Sequence, residues 1–166
     1  FGSLWGLYHV DIEPKDPQYV RDGVFLNCVF DGRNAGDFNT DEWGRFLIFC
    51  GGKELQNNKV SVIGCQFLDI NVRIRGVFPD CQFLYNTFNT THYPAFYRVR
   101  TNPVGELRNT IVRGNQFYAG EDSMRNLSYG VSFTGDSLIE GNWPESFNEV
   151  EIEQAGTETD WGEEDH

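Results

Sequence analysis

The feature that most limits this chain's fold is a short motif that returns at unequal intervals. An apolar residue is followed by two residues, then Cys or Asn, then one residue and in most copies Phe. It reads FLNCVF at residues 25–30, VIGCQF at 62–67, FPDCQF at 78–83, VRGNQF at 112–117 and IEGNWP at 139–144. The anchors are Cys28, Cys65, Cys81, Asn115 and Asn142. After each copy comes a second alternating segment: RFLIF (45–49), NVRIR (71–75), FYRVR (96–100), GVSFT (130–134) and EVEIE (149–153). A further copy of that second segment, HVDIE (9–13), precedes the first motif. A repeated unit that cannot bury its own apolar face must stack on its neighbours.

The segments between the repeats show no helical period, and the strands alternate with period two. Asn bonds locally to backbone and stacks in ladders, and Cys is small and tolerates burial. The stacked Phe residues are expected to fill the interior. On these motifs, residues 7 to 153 resemble the right-handed parallel β-helix proteins, the pectate-lyase-like superfamily. That resemblance implies an all-β solenoid of about five coils over residues 1–153, followed by an acidic tail at 154–166. The competing architecture, an antiparallel sandwich, would need tight hairpin turns, and the Asp-Gly pair at Asp31-Gly32 opens a long loop instead.

The chain has 166 residues, enough for one domain with a core that needs no disulfide or metal staple. Its 13 Lys and Arg against 25 Asp and Glu give a net charge of −12, which argues against nucleic acid or an anionic membrane as partner. The four Cys lack metal-ligand spacing. Cys28, Cys65 and Cys81 are expected in one column as free, buried thiols. The chain starts at Phe1 without Met, the expectation being an excised piece of a longer solenoid or assembly. Trp5 and Leu7 are expected to be covered by such a contact.

The extra residues of each repeat are expected at one corner, as loops at 31–44, 84–95 and 118–129. The repeat at 60–76 has only LDI there, so a trough with Asp69 on its floor is expected. If Val72, Ile74, Tyr97 and Val99 point inward, alternation sends Arg73, Arg75, Arg98 and Arg100 outward. One outward column then runs through Leu47, Arg73 and Arg98, and its neighbour through Phe49, Arg75 and Arg100. Four clustered guanidinium groups call for an anion, and Arg matches planar carboxylate or sulfate. These residues, with Phe49, Trp43, Tyr93 and His92 as stacking or donor groups, make a candidate site for an acidic polysaccharide. Loop acids pairing with the arginines would be the purely structural outcome.

Asp69 with Asp37, Asp41 or Glu42 is the carboxyl pair that a glycoside hydrolase would use. A lyase would use an arginine base, an awkward role for so weak an acid. Whether the chain is an enzyme is left open. The resemblance implies a tailspike-like or adhesin-like polysaccharide binder, with a hydrolase or lyase, or a structural spacer in a virion or surface assembly, as alternatives. A trimer or larger assembly, located outside the cell or on a virion, goes with that class. No metal site is expected at His9, Asp11 and Glu13, and no cofactor beyond a loosely held calcium ion.

Overall fold

The computed structural model describes residues 8–12, 23–33, 46–50, 59–90, 95–98, 105–119 and 128–155. In chain order the strands are β1 (Tyr8–Ile12), β2 (Gly23–Leu26), β3 (Val29–Asp31), β4 (Phe46–Cys50), β5 (Val60–Ile63) and β6 (Gln66–Leu68). There follow β7 (Asn71–Pro79), β8 (Gln82–Leu84), β9 (Thr87–Thr90), β10 (Phe96–Arg98), β11 (Gly105–Arg108) and β12 (Ile111–Arg113). The last are β13 (Gln116–Ala119), β14 (Ser128–Tyr129), β15 (Ser132–Thr134), β16 (Leu138–Glu140) and β17 (Ile152–Glu153). A 3-10 turn at Glu145–Asn148 is the one helical element among the described residues.

These strands form three sheets, and the pairings between them are all parallel. Sheet I runs β2-β5-β8-β12-β16, and sheet II runs β3-β6-β9-β13. Sheet III runs β1-β4-β7-β11-β15-β17, with β10 and β14 alongside. Within sheets I and II each strand lies beside its counterpart from the repeat before and the repeat after. That all-β, all-parallel arrangement is the one a stacked solenoid requires.

Strands of three or four residues are short because a left-handed residue ends them. Asn27, Gly64, Tyr85, Gly114 and Gly141 all have φ between 52° and 65° and turn the chain from sheet I into sheet II. The next residue, at each turn, is Cys28, Cys65, Asn86, Asn115 or Asn142. These five form one ladder. The backbone N–H of Cys65 donates to Asn86 Oδ1 at 2.8 Å, that of Asn86 to Asn115 Oδ1 at 2.8 Å, and that of Asn115 to Asn142 Oδ1 at 2.9 Å. Each amide NH₂ donates to the carbonyl of an inward sheet I residue: Asn86 to Val62, Asn115 to Phe83, Asn142 to Val112. Cys65 Sγ reaches Phe25 O in the same way, at 3.4 Å. Buried backbone groups are thereby paired where a turn would otherwise orphan them.

The ladder does not end at Asn142. The 3-10 turn folds back so that Asn148 Oδ1 accepts from both the backbone N–H and the side-chain NH₂ of Asn142, each at 2.9 Å. Asn148 thus supplies the acceptor that the next repeat would have provided.

The sequence expectation placed Cys81 in this ladder, and the structure moves it. Asn86 occupies that rung, from the overlapping stretch FLYNTF at 83–88. Cys81 sits at the other corner, between sheets III and I, where Asp80 and Asn109 hold the left-handed conformation. There Ile111 N–H donates to Cys81 O and Thr110 N–H to Ser137 Oγ, both at 3.0 Å. Cys28, Cys65 and Cys81 are free thiols, as expected; Cys28 is partly exposed and the other two are buried. The segment 84–95, expected as one loop, contains the end of β8 and all of β9. Long connections leave after β3, β4, β10 and β13, so insertions are not confined to one corner.

The core is aromatic. Phe30, Phe67, Phe88 and Phe117 stack down sheet II with ring centroids 5.1, 4.4 and 5.0 Å apart, and Phe147 closes the column edge-on at 5.0 Å. Phe83, expected in this column, instead lines up between Val62 and Val112 in sheet I. Offset-stacked rings at such spacing add about 0.5–1.5 kcal/mol per pair beyond their burial.

Candidate functional site

Sheet III carries the arginines that the sequence singled out. Its register differs from the expected one. Leu47 pairs with Val72, Ile48 with Arg73, Phe49 with Ile74 and Cys50 with Arg75. Phe96 pairs with Val72, Tyr97 with Arg73 and Arg98 with Ile74. The columns through Leu47, Arg73 and Arg98 and through Phe49 and Arg75 therefore do not form. In β10 the shift goes with Phe96, which is fully buried beside Val72. A one-residue slip reverses every side chain, so Phe96 takes the inward place expected for Tyr97 and packs against Phe83, Phe88 and Phe133.

Arg73 is 3% exposed, so its guanidinium is inside the fold and not on an open face. Arg98 is partly buried, its aliphatic stem lying against Gly105 and Gly130. Tyr97 stacks on Tyr129 at 5.3 Å. Asp69 holds φ of 55°, and its N–H donates to Asn89 O at 2.7 Å as the chain passes from sheet II to sheet III. Arg75 and Phe49 lie on β7 and β4, placed by register alone. Asp37, Asp41, Glu42, Trp43, His92, Tyr93 and Arg100 lie outside the described residues.

Sequence reasoning missed a buried polar cluster on the same sheet. Arg108 Nε donates to Glu106 Oε1 at 2.9 Å, and Thr134 Oγ1 donates to the same oxygen. All three residues are less than 10% exposed. A carboxylate held by a cation and a hydroxyl is structural chemistry: removing the arginine leaves a buried carboxylate without its counter-ion, at a cost of about 3–5 kcal/mol. The only hint was Glu and Arg two apart, hence on one side of a strand. Among the described residues no group of three or more His, Cys, Asp or Glu is placed to hold a metal ion.

The open face is sheet II. Here the inward Phe column leaves two outward ones. Register puts Val29, Gln66, Thr87, Gln116 and Trp143 in the first, and Asp31, Leu68, Asn89 and Tyr118 in the second. Toward the C-terminal end this face becomes aromatic. Trp143 is 55% exposed and Tyr118 43% exposed, with ring centroids 5.3 Å apart and planes inclined by 46°. Tyr118 Oη donates to Gln116 Oε1 at 3.0 Å, which fixes the phenol along the strand. Gln66, Asn89 and Gln116 are exposed amides on the same surface. Paired rings that stay in water beside amide donors and acceptors form a platform for a flat ligand with an apolar face and a hydroxylated rim.

The charge around this platform is acidic. Arg113 is engaged by Glu140, with Nη2 at 2.6 Å and Nε at 2.7 Å from Oε1, and Glu145 is exposed on the adjoining turn. No protein-family model matches the chain, and no curated protein or solved structure matches it either.

Proposed function

We propose that this chain is a right-handed parallel β-helix of about five coils that binds a neutral polysaccharide on its lateral face, in the manner of tailspike or adhesin domains. Right-handedness follows from the rule that crossovers between parallel strands of one sheet are almost always right-handed. The observation that carries the functional reading is the exposed Tyr118–Trp143 pair beside Gln116 on sheet II. Aromatic rings recover their hydration cost by stacking on the C–H face of a sugar, while amides bond its hydroxyls.

The acidic glycan expected from the arginines is replaced by a neutral one. Arg73 is buried, Arg113 and Glu140 neutralise each other, and a carboxylated sugar beside exposed Glu145 would meet like charge. Binding without chemistry is proposed over hydrolysis or elimination, because the platform's described side chains are two rings and a neutral amide. A glycan partner is in keeping with a location outside the cell or on a virion. The test is retention on immobilised neutral glycans, with Trp143→Ala expected to weaken it at least about tenfold, the usual scale for a stacking anchor. Undiminished retention by that variant would remove the proposal.

A further inference from the structure

We infer that the sugar site continues past Trp143, around the corner between sheets I and II, to a second stacking surface on Tyr85. The inference rests on the reading of sheet II as a glycan face and gives that site its extent and direction. Tyr85 is the corner residue of its repeat, with φ of 56°, and it is 63% exposed. Its ring is not waving in solvent. A Cβ placed on Gly114, one repeat further on, would lie 2.6 Å from Tyr85 Cδ1 and Cε1. The Cδ1–Cε1 edge of the ring therefore rests against Gly114, while most of the side chain stays in water.

The following corner residue is Gly141. A Cβ there would meet nothing nearer than Gly114 N, at 3.9 Å. So the corner steps from an exposed tyrosine to an open shelf with no side chain. Trp143 stands two residues beyond that shelf, past the turn at Asn142 and at most roughly 7 Å away. Tyr85, the Gly141 shelf, Trp143 and Tyr118 thus make one continuous track. It runs across the coils along the corner and then turns onto sheet II. Two aromatic surfaces separated by a bare gap suit a linear chain of neutral pyranoses. One sugar would stack on Tyr118 and Trp143, one would cross the shelf, and one would stack on Tyr85. A single sugar or a disaccharide would reach Trp143 without touching Tyr85.

The experiment uses the full chain and a ladder of neutral gluco-, galacto- and manno-configured oligosaccharides of two to eight residues, with the matching uronates, by calorimetry. Affinity for one neutral series is expected to rise with length and then level off. Tyr85→Ala is expected to weaken the longer members at least about fivefold and the disaccharide less than about twofold, within the range of a peripheral aromatic contact. Gly141→Asn fills the shelf while keeping a residue that tolerates positive φ, as Asn27 and Asn109 do. It is expected to cost the longer oligosaccharides their added affinity with an unchanged melting temperature.

Equal binding of long oligosaccharides by wild type and both variants would overturn the inference while leaving the Trp143 platform standing. Equal or tighter binding of the uronates would overturn its charge argument. Loss of no affinity in Trp143→Ala, or no binding of any neutral series by wild type, would overturn the platform and the extension together.

Discussion

Replacing Asn115 by Ala tests the ladder at its most connected rung. Four side-chain hydrogen bonds disappear: the two that Asn115 Oδ1 accepts from the backbone and amide of Asn86, and the two that Nδ2 donates to Phe83 O and Asn142 Oδ1. All lie in the buried part of the turn. At about 1 kcal/mol net for each, the loss is about 4 kcal/mol, and the Asn86 N–H and Phe83 C=O are left without these partners. Against a typical total of about 5–15 kcal/mol, that is a large fraction. With a urea dependence of about 2 kcal/mol/M, the unfolding midpoint followed by far-UV circular dichroism should fall by about 2 M. The converse variant, Cys65→Asn, should raise it. The present thiol is a poor acceptor for Cys28 N–H at 3.4 Å, and an amide there would repeat the geometry of Asn86. A midpoint drop under about 0.5 M in the first variant, or any destabilisation in the second, would refute the ladder as a source of stability.

Gly114→Ala should be severely destabilising, because it combines φ of 65° with a clash on Tyr85, whereas Gly141→Ala meets only the φ penalty, about 1–2 kcal/mol; thermal melts of the pair separate the two causes. Phe88→Ala removes the ring stacked between Phe67 and Phe117 and should cost about 3–5 kcal/mol by urea unfolding. Burial pushes the Cys81 thiol well above its ordinary range. Its contribution is therefore complete at neutral pH and is lost as pH rises past about 8.5, where the unfolded chain releases a proton that the native one keeps. Between pH 8.5 and 10 this amounts to about 2 kcal/mol, and unfolding midpoints of Cys81→Ala should fall less steeply over that interval than those of wild type.

The parallel layering and the Phe interior were readable because Cys or Asn after a turn residue, with Phe two places on, is a local demand of the corner. The phase of the third copy was not. FPDCQF and FLYNTF overlap and both satisfy the motif, because the sheet III–sheet I corner uses the same device, with Asp80 before Cys81 and Asn109 before Thr110. Only pairing decides: Phe83 beside Val62, and Phe88 between Phe67 and Phe117. The arginine columns failed for a related reason. FYRVR offers an aromatic in both phases, so alternation alone could not choose between Phe96 and Tyr97. The sheet II platform was hidden because Tyr118 and Trp143 come from different repeats. Its one local signal was Trp143 standing outward in IEGNWP, where other copies place Val, Thr or Gln.

A pile of parallel strands invites more strands to join at its ends, since each edge exposes a row of unused amides. The fold-back of Asn148 onto Asn142 removes that invitation at one end of the amide ladder. Any incoming polypeptide would have to evict a pre-bonded carboxamide before it could template there. Fibrillar growth is thus blocked at this rung by a side chain five residues beyond the bridge at Trp143, and Asn148→Ala would be the variant in which such runaway addition begins.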